Sequence, residues 1–239
     1  VTLPNMTITM SRIFPFKRKH AVGKERWYEK IAMSYSGTLS NSITTKENKL
    51  FKSNLVKDWR NAMQHSIPVS ATFQLFKYIN ISPSFNYKER WYTNKVEQAY
   101  DPQRQAVVAR DTTYGFYRVY DYSGSISAST TLYGFFKPLP FLGKKVEMIR
   151  HRMEPSVSLS AAPDFASNRF GFYQTFVYQD ANGEDHEYTY SPFAQNMYGV
   201  PSKGKQGNVS FSVNNNIEMK IKSDKDSTGY RKISIIDEL

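Results

Sequence analysis

From Gly207 onward the odd positions carry Val209, Phe211, Val213, Asn215, Ile217, Met219 and Ile221, and the even ones Asn208, Ser210, Ser212, Asn214, Asn216, Glu218, Lys220 and Lys222. Successive side chains of a strand point to opposite faces, so this period of two builds one apolar and one polar face, whereas a helix would scatter the same residues around its circumference. The split recurs with Ile31, Met33, Tyr35, Gly37, Leu39 and Ile43 against Ala32, Ser34, Ser36, Thr38, Ser40, Ser42 and Thr44. Met63, Ile67, Val69, Ala71, Phe73 and Leu75 oppose Gln64, Ser66, Ser70, Thr72 and Gln74, and Ile79, Ile81, Phe85 and Tyr87 oppose Asn80, Ser82, Ser84, Asn86 and Lys88. Between Tyr122 and Phe136 the apolar register moves to even positions, with Ile126, Ala128, Leu132 and Phe136 facing away from Ser123, Ser125, Ser127, Ser129 and Thr131. Met153, Val157, Leu159 and Ala161 oppose Arg152, Glu154, Ser156, Ser158 and Ser160. With Met6, Ile8, Met10 and Phe14 against Asn5, Thr7, Thr9 and Ser11, these segments predict seven strands, and an eighth begins after Tyr230.

A soluble β-sandwich also alternates, but its strands are usually about 5 or 6 residues, while a membrane strand needs about 9 to 11. The runs here reach about 12 to 16 residues. Their polar faces are crowded with Ser, Thr and Asn, which suits a hydrated lumen. The pattern therefore predicts an all-β fold: an antiparallel transmembrane β-barrel segment of about seven long meander strands, with 1–239 forming one partial outer-membrane barrel domain. The expected lipid-facing residues are Met33, Leu39, Val69, Phe73, Ile81, Phe85, Val157, Leu159, Phe211, Val213 and Ile217. The expected lumen-facing ones are Ser36, Thr38, Ser40, Ser70, Thr72, Ser125, Ser127, Arg152, Glu154, Ser158, Ser212, Asn214, Asn216 and Glu218.

The links alternate in length. Residues 17–29, 76–78, 137–147 and 223–230 are the shorter ones, and residues 45–61, 93–120 and 163–206 the longer. Outer-membrane barrels have short periplasmic turns and long outer loops, so the first strand is expected to run down from the cell surface. Trp27 with Tyr28, and Trp91 with Tyr92, fall near strand ends, where they fit either interfacial girdles or ordinary strand-end packing.

Composition narrows the chemistry. Mean hydropathy is −0.57, and no apolar run reaches the length of a membrane helix. No leader peptide precedes the first strand, so Val1 is expected to be internal to a longer chain. Cysteine is absent, which removes disulfides, zinc-thiolate sites and a thiol nucleophile. Among the 4 His, His65 and His151 fall in the apolar register, His20 sits in a basic turn, and His186 lies in Gly183-Glu184-Asp185-His186-Glu187. That cluster reads either as oxygen ligands for a divalent cation or as a solvated Asn182-Gly183 hairpin tip, the commoner meaning. No metalloprotease helix, phosphate-cradling glycine loop or nucleophile elbow occurs, so no enzyme activity and no cofactor is expected. The Asn-X-Ser/Thr triplets at Asn5, Asn80 and Asn208 fall within predicted strands and read as chance.

The net charge of +11 invites a nucleic-acid reading. Its basic residues, however, gather at Lys17, Arg18 and Lys19, at Lys144 and Lys145, and at Arg150, Arg152, Lys220 and Lys222, on the expected periplasmic side or lumenal faces. There they fit anionic lipid head groups, a phosphorylated glycolipid, or simple ion pairs with Glu154 and Glu218, and no nucleic acid is expected.

Particular strings add a resemblance. Phe76-Lys77-Tyr78-Ile79-Asn80-Ile81-Ser82-Pro83-Ser84-Phe85-Asn86-Tyr87 with Glu89-Arg90-Trp91-Tyr92, and Ile149-Arg150-His151-Arg152-Met153-Glu154-Pro155-Ser156-Val157-Ser158, resemble the Bacteroidota-type LPS-assembly barrels of the LptD-like family. So do Ser11 to Lys19 with Gly23 to Lys30, Tyr190-Ser191-Pro192-Phe193, and Ser210 to Asn216. The resemblance implies delivery of lipopolysaccharide to the outer leaflet of the bacterial outer membrane. It also implies receipt of the glycolipid from periplasmic bridge proteins, a lipoprotein plug in the lumen, and release through a seam between the first and last strands. An N-terminal domain is expected outside this stretch, and the cysteines that tie barrel to periplasmic domain in the better-known branch do not occur here. The rival expectation is an uptake or adhesion barrel whose long loops, 163–206 above all, capture an extracellular ligand. A soluble basic β-protein that binds nucleic acid is the third, disfavoured by the spacing of the charges.

Overall fold

The computed structural model describes residues 2–20, 22–46, 52–54, 57–138, 145–223 and 229–236. Lys144 and parts of the links 45–61, 137–147 and 223–230 lie outside them. Among the described residues twelve strands form: β1 (Thr2–Ile13), β2 (Ala32–Ser42), β3 (Arg60–Ser70), β4 (Phe73–Leu75), β5 (Ile79–Asp101), β6 (Ala106–Thr130), β7 (Leu132–Phe136), β8 (Val146–Ala162), β9 (Gln174–Gln179), β10 (Asp185–Tyr190), β11 (Gln206–Lys222) and β12 (Tyr230–Ile236). The hydrogen-bonded order is β1-β2-β3-β5-β6-β8-β11-β12, with β4 beside β5 and β7 beside β8. β9 and β10 make a separate hairpin. The sheet is antiparallel and open, as an incomplete barrel segment requires. The eight-strand path matches the seven expected strands and the eighth after Tyr230.

The period of two survives pairing because the register aligns like faces. Met6 pairs Leu39, Leu39 pairs Met63 and Met63 pairs Trp91, one apolar row across four strands. One residue along β2, Thr38 lies between Thr7 and Gln64 in the adjacent polar row, and Gln64 pairs Arg90. A slip of one residue would turn every apolar side chain of a strand to the wet face, so the pattern itself specifies the register.

Three expectations change. The strand predicted over 63–75 breaks after Ser70: Ala71 donates its N–H to Pro83 O at 3.1 Å, but Pro83 has no N–H to return. Residues 93–120, expected as a long loop, are mostly strand, because β5 and β6 run on to a tip at 102–105. Both faces of that extension are polar in places, so no alternation betrayed it. The 163–206 segment contains a hairpin of its own. The short link at 76–78 is a tight turn with φ of 50° at Phe76 and 66° at Lys77, closed by Tyr78 N–H to Leu75 O at 3.2 Å. Two non-glycine residues in the left-handed region match the twist of a hairpin at some strain.

The chain divides into two compact units. The first comprises Val1–Ser70, Ser84–Gly124 and Ala161–Gly207, and the second Ala71–Pro83, Ser125–Ser160 and Asn208–Leu239. In the first, Ala62, Tyr92, Val119, Phe165, Phe172 and Phe193 form a buried cluster. In the second, many of the described apolar side chains of the strands are exposed, Phe211 at 68% and Leu159 at 46%, and others are half-buried.

Candidate functional site: the polar face and its covering segment

In the first unit one buried row sits on the polar register, the reverse of a soluble sheet. Ser40, Ala62 and Tyr92 lie side by side across β2, β3 and β5, and all three are buried. The cover is the stretch 190–201. Phe193 stacks on Tyr92 with ring centres 6.1 Å apart and also meets Tyr117. Tyr92 donates its hydroxyl to Gly199 O at 2.6 Å, and Tyr198 donates to Thr38 O at 3.2 Å. Arg90, itself buried, donates Nε to Tyr198 O at 3.0 Å and Nη1 to Asp121 Oδ2 at 2.6 Å. Asn196 Nδ2 reaches Asn94 O at 3.0 Å, and Val96 N–H reaches Pro192 O at 2.8 Å. These bonds satisfy polar groups that the apolar cover would otherwise strand.

The ends of the covering segment are fixed as well. Asp164 accepts the backbone N–H groups of Gly204 and Ala166 at 2.8 and 2.9 Å, which together hold its carboxyl below the usual range. Tyr173 donates to Pro201 O at 2.6 Å. At the hairpin tip Gly183 takes φ +81°, and Asp180 accepts from Asn182 N and Glu184 N at 2.8 and 2.9 Å. Asp180 also meets His186 Nε2 at 3.2 Å, and the Glu184 N–H is the largest cause of its lowered pKa. Asp180, Glu184 and His186 lie close enough to share a cation, but the Asp180 oxygens already serve the turn. The hairpin tip at Asn182-Gly183 is present as expected.

In the second unit the polar register carries paired rungs. Ser156 and Ser212 share a hydroxyl hydrogen bond at 2.7 Å, and Ser158 and Ser210 one at 2.6 Å. Arg152 bonds Glu154, which also accepts from Thr131 Oγ1 at 3.1 Å, and Arg150 Nη2 donates to Glu218 Oε2 at 2.6 Å. Thr72 meets Ser82 at 3.3 Å, Ser127 donates to Ser82 O at 3.4 Å, and Asn216 Nδ2 reaches Ile236 O at 3.2 Å. The expected ion pairs of Glu154 and Glu218 with basic residues therefore form. Asn214 is exposed, Ser125 half-buried, and Ser36 and Ser70 pair Ser66 and Ser84 in the ladder.

The apolar register holds a belt of rings in the first unit. Tyr35 bonds His65 Nδ1 at 2.8 Å, His65 packs 4.2 Å from Trp91, and Trp91 meets Phe116 edge-on at 5.5 Å. Within it the buried Glu89 accepts from Tyr87 Oη at 2.5 Å, Trp91 Nε1 at 2.6 Å, and Arg118 Nε and Nη2 at 2.6 and 3.0 Å. A carboxylate on an apolar face is tolerated because four donors surround it. Trp91 thus belongs to a ring belt, whereas Tyr92 does not: neighbours along a strand face opposite ways, and Tyr92 is 1% exposed beneath Phe193. In the second unit His151 Nε2 meets Asn215 Oδ1 at 2.9 Å, both in the apolar register.

Sequence reasoning missed Arg90, Tyr92, Asp121 and Tyr198 as a connected set. The available signal was the apolar content of a link read as an outer loop, with Phe193, Met197, Tyr198 and Val200 close together.

An open antiparallel sheet with one bare apolar face, and a polar face of hydroxyls and ion pairs, defines the barrel-wall class of all-β protein. The chain belongs to the LptD protein family, whose model matches residues 1–239. That is an outer-membrane protein family of lipopolysaccharide transport and assembly. No curated protein and no solved structure matches the chain.

Proposed function

We propose that the chain forms part of an outer-membrane translocon that inserts lipopolysaccharide into the outer leaflet, working by geometry with no covalent step. The supporting observation is the inverted burial of the first unit: Tyr92, Ala62 and Ser40 are covered on the polar face, while Met6 and Ile8 stand half-exposed on the apolar one. Apolar rows facing lipid and hydroxyl rungs facing water satisfy both solvents at once. The wall lies in the bacterial outer membrane, its apolar face against membrane lipids. Its partners are lipopolysaccharide, the lipoprotein plug and the periplasmic bridge proteins of the transport system. The 190–201 stretch narrows the hydrated side. Capture of an extracellular ligand by 163–206 is less favoured, because Phe165, Phe172 and Phe193 are buried.

Conditional depletion of the full-length protein tests the proposal. Surface lipopolysaccharide is expected to fall while glycolipid accumulates inside the envelope. Unchanged surface glycolipid would sink the translocon role and leave the fold untouched.

A further inference from the structure

Lys220 and Lys232 stand directly opposite one another on β11 and β12. Like charges at such positions repel, and nothing in the alternation of either strand requires them. Lys220 is partly compensated by Glu147 at 3.4 Å and lies 3.8 Å over the Tyr230 ring. Among the described residues no carboxylate forms an ion pair with Lys232. Among the described residues the Arg150 side chain makes one hydrogen bond, to Glu218, and its buried Nε has no partner there. Among the described residues three cations here face two carboxylates, which leaves one positive charge uncompensated.

Arg150, Glu218, Lys220 and Lys232 line one cavity of about 190 Å³, shared with Phe135 and Met148. Phe135 pairs Arg150 across β7 and β8 and is 61% exposed. We infer that this cavity binds the phosphate group of an anionic amphiphile. A phosphate between the two lysines converts their repulsion into two charge-assisted bonds, and the apolar rim of Phe135 and Met148 takes the first carbons of its carrier. A carboxylate would satisfy one cation, whereas a phosphate monoester offers three oxygens to a converging set. The inference rests on the translocon reading only for the ligand's being an amphiphile.

The test uses the full-length protein in neutral detergent, with dihexanoyl phosphatidic acid as the probe and dihexanoyl phosphatidylcholine and inorganic phosphate as controls, by titration calorimetry. Lys220→Gln and Lys232→Gln are each expected to weaken phosphatidic acid binding about tenfold, and Lys232→Arg to retain it. Phosphatidylcholine should bind no better to the native protein than to either variant. Lys232→Gln also removes a repulsion, so its melting temperature should hold or rise, which separates lost binding from lost folding. Unchanged phosphatidic acid affinity in both glutamine variants overturns the site. Inorganic phosphate binding as tightly as phosphatidic acid overturns the amphiphile. A lowered melting temperature in Lys232→Gln overturns the claim that the lysine pair is unrelieved. Equal binding of phosphatidic acid and phosphatidylcholine by the native protein, alongside a fall in surface glycolipid on depletion, would remove the pocket alone, while intact binding with unchanged surface glycolipid after depletion would remove transport alone.

Discussion

Glu29 accepts hydrogen bonds from the Arg18 guanidinium and from the backbone N–H groups of Arg26 and Arg18, at 2.6 and 3.3 Å for the two amides. The Arg18 side chain is the first cause and the Arg26 amide the second that pull its pKa from 4.5 to about 2. A depressed carboxyl favours the folded link above pH about 4.5 and loses that contribution as pH falls towards 2. Limited proteolysis of residues 14–31 should therefore speed up over that window in the native protein. In Glu29→Gln the link should be cleaved fast at neutral pH already. A second residue-scale prediction concerns Glu89 and Arg118. Glu89→Leu strands a guanidinium on the apolar face and should cost about 1–3 kcal/mol in denaturant unfolding from liposomes. Adding Arg118→Leu should recover most of it, because removing both charges leaves no orphan. A double variant no more stable than the single one would show that the pair is not coupled.

At the scale of elements, the covering stretch 190–201 is a long-range insertion and not a free loop. Its anchor is Phe193 between Tyr92 and Tyr117, with Arg90 and Tyr198 holding the backbone. Truncating a buried Phe to Ala typically costs about 3–5 kcal/mol. Phe193→Ala should thus raise hydrogen exchange across residues 164–204, while β8 and β11 below Ser160 and Asn208 keep their protection. Uniform loss of protection would mean that the segment is needed for the whole sheet to form. The hairpin β9–β10, turned at Gly183, is expected to exchange independently, since its ladder is separate from the main sheet.

At the scale of the whole molecule, the two faces of the sheet make the sharpest demand. Leu159 and Ser158 are neighbours on β8 with opposite orientation, and Ser158 bonds Ser210 at 2.6 Å. If the apolar face meets lipid, Leu159→Arg should cost about 2–4 kcal/mol in refolding into bilayers, and Ser158→Arg only about 1 kcal/mol. Equal costs would argue against a bilayer on either side. Among the described residues β1 and β12 are the ends of the hydrogen-bonded order, and hydrocarbon does not tolerate an open sheet edge, so in a membrane these two strands need neighbours.

Alternation was legible because it is a local consequence of strand geometry: the next side chain always faces the other way, whatever the strand packs against. Strand existence, faces, the hairpin tip at Asn182-Gly183 and the Arg152–Glu154 ion pair follow from such short-range rules, whereas the Arg150–Glu218 pair needs the register of β8 and β11. The extension of β5 and β6 through 93–120 was hidden, since strands with polar residues on both sides lose the period that reveals them. The bonds that cover the polar face join residues far apart in the chain, such as Arg90 with Tyr198 across 108 residues and Tyr92 with Gly199 across 107. The Glu89 to Arg118 pair and the opposed lysines at 220 and 232 likewise depend on how neighbouring strands are registered. By itself the amino-acid order determined which side of each strand is apolar. Only the tertiary structure decided which polar residues meet and where the 163–206 segment goes, because register and chain reversal bring together groups that no local spacing relates.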